Sequence, residues 1–338
     1  MKINFLEPLG ISNDRLREIV DNTIGTQHEV TYYSDRNEDP AVLVERCQGA
    51  DCVVLSNMKF GRDIIEKCPE LKMICVAFTG VDLVDTEEEV ERRQQPQQQR
   101  AVGHHLGLTV EDCKEKNIRV CNCAGYSTVA VADLVFGFVI DLARNVFPCN
   151  EVVRKGGTKQ GLVGFELEGK KFGVIGAGAI GQRVLKIAQA FGCETYAYNR
   201  SPKEIPGVQF VTMEELLKTC DIISVHVPQT KETIGLIGEE QFDMMKDTAL
   251  FINTARGPIV DSEALAKALN EGQIAGAAVD VFEVEPPVAA DHVLFGAKNL
   301  IATPHVAFAS QQAFEKRAVI VAENIKCWIN GNMQNVIC

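Results

Sequence analysis

Phe172-Gly173-Val174-Ile175 runs straight into Gly176-Ala177-Gly178-Ala179-Ile180-Gly181, and this stretch decides the fold. An apolar strand leads into a GxGxxG turn. Ile180, Val184, Ile187, Ala188 and Phe191 then recur at helical spacing. In that setting Gly176 permits a tight turn, Gly178 lets backbone approach a pyrophosphate, and Gly181 lets helix and strand pack closely. Ala179 and Ile180 open the helix, whose free N–H groups and positive dipole end suit phosphate oxygens. A bare GxGxxG is only a glycine-rich turn; the strand before it and the helix after it point to a bound dinucleotide.

The next strand, Thr195–Tyr198, runs into Asn199-Arg200-Ser201. An acidic residue there would accept hydrogen bonds from both ribose hydroxyls and repel a 2′-phosphate. Asn199 does not repel one, Arg200 can pair with it through a charge-assisted fork, and Ser201 can add a hydrogen bond. The pattern favours NADP, with NAD as the alternative.

Outward from this point, short β-branched runs alternate with helical stretches. Strands are predicted at Ile3–Phe5, Glu29–Tyr32, Cys52–Ser56, Met73–Ala77 and Ile118–Cys121, with helices such as Asp14–Asp21 and Arg62–Lys67 between them. A second series comprises Phe172–Ile175, Thr195–Tyr198, Ile222–Val227, Leu250–Asn253, Ala275–Asp280 and Leu300–Ala302. Thr212 with Glu215 fits a capping box, and Asp261 or Ser262 can cap the helix through Leu269. The rhythm is that of α/β architecture with two doubly wound, mostly parallel sheets. Val129–Ala143 is apolar nearly all round, which predicts a helix buried between domains or subunits. The last helix, about Ser310 to Asn330, is expected to pack back onto the first domain.

Thr86 to Gly107 breaks the rhythm: TEEEVERRQQPQQQRAVGHHLG lacks the apolar residues to offset the entropy of ordering. A disordered insertion over 86–107 is expected. His104-His105 stands there without further ligands, so no metal is expected.

The 338 residues suffice for two domains, each with its own core. A net charge of −12 without a long Lys/Arg run argues against nucleic acid. Met1–Leu6 is too short for a signal peptide, and Val129–Ala143 contains Asp133 and Asp141 and falls short of a membrane span. Twelve cysteines are scattered from Cys47 to Cys338 with no CxxC, so they read as small buried hydrophobes in a reducing compartment. The expectation is a cytoplasmic protein with no membrane partner.

Three residues beyond the glycine turn carry chemistry. Arg256 follows an apolar strand, where parallel sheets place their ligands, and its guanidinium suits a carboxylate bidentately. His305, in Thr303-Pro304-His305, suits general acid/base work. Glu285, just past a strand, can favour the imidazolium of His305 and fix its tautomer. Asp280 near the strand end faces a nicotinamide in this reading, and His226, in His226-Val227-Pro228, is packing near the cofactor. Singly, each has a plain structural reading as a surface ion pair, a satisfied histidine or a loop charge. Together at strand ends they fit hydride transfer to or from a small 2-oxo or 2-hydroxy acid.

These motifs resemble the D-isomer-specific 2-hydroxyacid dehydrogenases, the family of phosphoglycerate dehydrogenase and glyoxylate/hydroxypyruvate reductase. The resemblance rests on Ala77-Phe78-Thr79-Gly80-Val81-Asp82, Val174–Gly181, His226–Pro228 with Thr230 and Thr233, Asn253–Asp261, Asp280–Pro287 and Thr303–His305. It implies Arg256 as anchor of the substrate carboxylate and carbonyl, His305 as proton donor in reduction, and Glu285 as its partner. It implies backbone N–H groups around Thr79, Gly80 and Val81 on the carboxylate, and Thr254, Ala255 and Asp280 near the nicotinamide. The substrate pocket is expected to include Asn57, Met58 and Phe78, and the cofactor site to extend over His226, Val227, Pro228 and Thr233. The implied fold is a cofactor domain (124–305) inserted into a flavodoxin-like substrate domain (1–123 and 306–338), with a cleft that closes, in a homodimer. Two departures stand out: Asn199 replaces the acid of NAD-preferring members, and 86–107 looks inserted. Sequence leaves open whether that segment modifies access or is a translated non-coding stretch. The rival readings are a corepressor-like dinucleotide-sensing binding protein and a formate or phosphite dehydrogenase on the same fold.

Overall fold

The computed structural model describes residues 1–56, 58–80, 110–201, 203–285 and 287–338. The chain divides into two compact units, Met1–Ser127 with Ala309–Cys338, and Thr128–Phe308.

In the first unit, β1 (Lys2–Phe5), β2 (Glu29–Tyr32), β3 (Cys52–Leu55), β4 (Met73–Val76) and β5 (Arg119–Cys121) form a parallel sheet ordered β2-β1-β3-β4-β5. This is the flavodoxin-like order. All four residues of β3 and of β4 are buried, as expected where helices cover both faces. The helix Asn13–Ile24 starts where the Ser12 hydroxyl accepts from Arg15 N–H and stops at Gly25, whose φ of 79° suits only glycine without strain. The helix Gln311–Ile329 returns to pack on Asn13–Ile24 and β4. From it, buried Arg317 donates to the carbonyls of Leu9 (2.7 Å) and Ala77 (3.4 Å). That clamps the chain just ahead of Phe78-Thr79-Gly80.

In the second unit, β6 (Lys171–Ile175), β7 (Glu194–Tyr198), β8 (Val208–Phe210), β9 (Ile222–Val225), β10 (Leu250–Asn253), β11 (Gly276–Val279) and β12 (Leu300–Ala302) form a parallel sheet ordered β12-β11-β10-β9-β6-β7-β8. The order reverses at β6, flanked by β9 and β7. Doubly wound sheets bind ligands at the carboxyl ends of strands at such a switch point.

Within the single chain, Ala132, Val135, Phe136, Phe138, Val139 and Ala143 of the helix Thr128–Arg144 enter the core of the second unit and Val131 is buried, whereas Val129 and Gly137 are exposed. Phe136 stacks between Phe172 (5.6 Å between ring centres) and Phe191 (5.3 Å). The sequence reading did not name β8 or the helix Val146–Arg154, among other short elements. β8 is a three-residue edge strand, and the helix Val146–Arg154 buries none of its residues, so neither presents a strong apolar face. All twelve cysteines are free, nine of them buried.

Candidate active site

At the switch point, β6 ends in Gly176 with φ +100°, where a Cβ would lie 2.7 Å from the His226 carbonyl oxygen. A Cβ on Gly181 would lie 2.1 Å from the Gly176 oxygen, so helix and turn touch through bare backbone. Gly178 is different: a Cβ there meets nothing within 4 Å. It is the N-cap of the helix Ala179–Ala190 and supplies no side-chain cap, so the first turn presents backbone donors over open space. The shape suits a phosphate.

Beyond β7, Asn199 is committed to the turn. Its Oδ1 accepts from Ala177 N–H at 3.1 Å and its Nδ2 donates to the Ser201 carbonyl at 2.7 Å. Lys203 reaches back to the Ala177 carbonyl at 2.8 Å, placing an ammonium on the glycine turn beside exposed Arg200 and Ser201. Across the turn, Val227 packs against Gly176. The Thr233 hydroxyl donates to the Pro228 carbonyl at 2.6 Å and accepts from Thr230 N–H at 2.7 Å, closing the loop after β9. His226 Nε2 lies 2.9 Å from Ser224 Oγ, and burial pushes its pKa down to about 3, so the ring is neutral at ordinary pH.

The acid/base couple is formed. His305 Nδ1 lies 2.6 Å from Glu285 Oε1, with the two side chains 22% and 16% exposed. Glu285 Oε2 also accepts from Phe282 N–H at 3.2 Å. His305 sits at φ 54°, a left-handed conformation uncommon for a residue with a Cβ. Its N–H donates to the Asp280 carbonyl at 2.7 Å. The Asp280 carboxylate accepts from the Thr303 hydroxyl, from Val306 N–H (2.8 Å) and from Ala307 N–H (2.8 Å). Burial raises the Asp280 carboxyl above its usual range, with these donors pulling the other way.

Arg256 lies beyond β10 in extended backbone, its Nη1 donating to the Ala255 carbonyl at 2.8 Å. Buried Asn253 folds this loop: its Oδ1 accepts from Ala255 N–H and its Nδ2 donates to the Arg256 carbonyl, both at 3.0 Å. Gly257 abuts the Glu285 loop so closely that a Cβ would lie 2.0 Å from the Phe282 carbonyl carbon and 2.4 Å from Glu283 N. The Arg256 and Glu285 segments are therefore direct neighbours. Between them and the glycine turn in sequence, Thr254 has a buried hydroxyl with no hydrogen-bond partner in the described residues. That orphan oxygen and the open Gly178 fit a bound dinucleotide.

In the first unit, the Phe78 carbonyl accepts from Cys123 N–H at 2.9 Å and the Thr79 carbonyl from Asn122 Nδ2 at 2.7 Å. Phe78 is buried against Tyr126, Thr79 is exposed and Gly80 partly so.

The D-isomer specific 2-hydroxyacid dehydrogenase NAD binding domain matches residues 136–307, and the catalytic domain of the same family matches residues 6–93. The chain belongs to the D-isomer specific 2-hydroxyacid dehydrogenases. It is 36% identical to a glyoxylate reductase of Thermococcus litoralis over 90% of this chain and 89% of that protein. It is 34% identical to a glycerate dehydrogenase of Methylorubrum extorquens over 95% and 96% of the respective chains. An acyclic imino acid reductase, solved with NADPH and D-Arg, superposes with a TM-score of 0.84 at 28% identity, covering 100% of both chains.

For this dehydrogenase the structure brings Glu285 and His305 into contact and sets Arg256 on the adjoining loop. The Asp280 carboxylate is buried and accepts from Thr303, Val306 and Ala307, so it holds the His305 turn. Asn57, Val81, the 86–107 segment and His104-His105 lie outside the described residues. Two residues were missed. Lys203 had a signal, a cation four positions past the strand-ending Asn199; Asn253 had none beyond its place at a strand end.

Proposed function

We propose that the protein is a reductase of small 2-oxo acids, glyoxylate or hydroxypyruvate foremost, that forms the D-2-hydroxy acid and prefers NADPH to NADH. The observation that carries this reading is the 2.6 Å His305–Glu285 couple beside the Arg256 loop. A bound nicotinamide supplies the hydride for the substrate carbonyl carbon. Arg256 holds the substrate carboxylate and polarises the carbonyl. With Nδ1 committed to Glu285, Nε2 of His305 delivers the proton to the carbonyl oxygen, and Glu285 stabilises the imidazolium before transfer. Gly176, Gly178, Ala179, Ile180 and Gly181 would cradle the pyrophosphate of a bound dinucleotide. Thr254, Ala255, His226, Val227, Pro228 and Thr233 would hold its other end, and Arg200, Ser201 and Lys203 would receive a 2′-phosphate.

In this reading the second unit is the dinucleotide-binding domain and the first the substrate domain. Exposed Val146, Phe147, Val153 and Val163 on the second unit support a homodimer. Nine buried free thiols support residence in a reducing cytoplasm.

The test is a panel of small 2-oxo acids, each assayed with NADPH and with NADH. Turnover of glyoxylate or hydroxypyruvate, faster with NADPH, is expected. Arg256→Ala should chiefly raise KM for the acid, and His305→Ala should chiefly lower kcat. Wild-type rates in both variants, or no turnover of any acid by the native protein, would overturn the assignment.

A further inference from the structure

A second histidine–carboxylate couple lies in the loop that carries Glu285. His292 Nε2 is 3.0 Å from Glu283 Oε2, and the two side chains are 17% and 26% exposed. His292 Nδ1 accepts the Leu294 N–H at 3.3 Å, capping the 3-10 turn Val293–Gly296. With Nδ1 accepting, Nε2 carries the hydrogen and donates to Glu283. The ring also packs edge-on against Phe282 at 5.2 Å and tilted against Phe295 at 5.6 Å, while Phe282 and Phe295 meet at 5.7 Å. His292 thus grips both residues of the Phe282–Glu283 peptide.

That peptide is a junction. On one side it lies against Gly257, where not even a Cβ fits, directly after Arg256. On the other, Phe282 N–H donates to Glu285 Oε2 at 3.2 Å, while Oε1 of the same carboxylate holds His305. A shift of the Phe282–Glu283 peptide therefore moves Glu285 and disturbs the seat of Arg256 together. Displacements of about 1 Å at such points cost up to roughly a hundredfold in rate.

We propose that His292 is a positioning residue: through Glu283 and Phe282 it sets the Phe282–Glu283 peptide, and with it the Glu285 carboxylate and the Arg256 loop. The inference rests on the reading of His305 and Glu285 as the acid/base couple. His292 touches no reacting atom; its effect passes entirely through the loop.

The experiment uses the full-length protein with glyoxylate and NADPH. It compares His292→Ala, His292→Asn, Glu283→Ala, Glu283→Gln and the double variant His292→Ala/Glu283→Ala. Asn keeps an N-cap acceptor for Leu294 but is too short for Glu283, separating the cap from the couple. Gln keeps an acceptor for His292 Nε2–H without the charge. Expected is a kcat loss of roughly tenfold in His292→Ala, His292→Asn and Glu283→Ala, with KM for NADPH within about twofold. Glu283→Gln recovers most of the rate, and the double variant loses no more than the worse single one. The solvent deuterium isotope effect on kcat rises in the slow variants, because proton delivery has become more rate-limiting. Wild-type kcat in both His292→Asn and Glu283→Ala, additive losses in the double variant, or a loss confined to thermal stability would overturn the proposal. His305→Ala and Glu285→Ala measured alongside keep the two readings apart. If they retain turnover the acid/base assignment fails; if they lose it while the His292 series does not, the positioning role alone fails.

Discussion

His305 holds its left-handed backbone because Asp280 binds it from two directions. The Asp280 carbonyl accepts the His305 N–H at 2.7 Å, and its carboxylate accepts the next two N–H groups, of Val306 and Ala307, each at 2.8 Å. A conformation costing of order 1–3 kcal/mol persists only where its surroundings overdetermine it. Here one buried carboxylate does so.

Removing that carboxylate should affect both stability and rate. Asp280→Ala leaves the Thr303 hydroxyl and two N–H groups unpaired, a loss of about 3 kcal/mol by chemical denaturation. It should lower kcat on the order of a hundredfold by freeing the His305 ring. Unchanged kcat in a folded Asp280→Ala protein would show that the turn is held by something else.

Gly257 and Gly178 make a contrasting pair. Gly257→Ala drives a methyl into the backbone of Phe282 and Glu283, so it should cost about 3 kcal/mol of stability and most of the activity. Gly178→Ala meets no protein atom within 4 Å and should change stability by no more than about 1 kcal/mol. It should nevertheless weaken dinucleotide binding at least roughly tenfold, read by fluorescence titration with NADPH.

Cofactor preference should reside in two cations. On the proposed NADPH reading, Arg200→Ala and Lys203→Ala should each raise KM for NADPH by roughly tenfold or more and leave KM for NADH nearly unchanged, because each would lose a charge-assisted bond to the 2′-phosphate alone. Equal effects on the two cofactors would instead assign these residues to the shared pyrophosphate.

His226 predicts a pH signature. Its folded pKa of about 3 lies below the ordinary histidine value of about 6.5, so the folded state favours the neutral ring. The resulting stabilisation is complete above pH ~6.5 and is lost as pH falls through that value towards 3. Denaturation midpoints of the native protein should therefore fall more steeply over this window than those of His226→Gln. Parallel curves would mean that His226 does not titrate there.

Much of this architecture is written locally. The runs Cys52–Leu55, Met73–Val76 and Leu250–Asn253 declare buried parallel strands because every residue is apolar or small enough for a two-faced interior, apart from the terminal Asn253. The glycine turn is equally legible, since tight turning, ligand approach and close packing each exclude a Cβ. Arg256, Glu285 and His305 stood out because reactive side chains just beyond strand ends are where such sheets collect them. The exposed helix Val146–Arg154 and the short β8 gave no comparable pattern.

What only the tertiary structure decided is how those side chains are held. Asp280 meets Thr303 23 residues away, and Arg317 reaches the Ala77 carbonyl across 240. Gly257 is glycine because Phe282 lies against it. Such contacts leave no period in the chain: periodicity records which face of an element is buried, whereas a single hydrogen bond between distant loops depends on coordinates that exist only after the sheets are assembled.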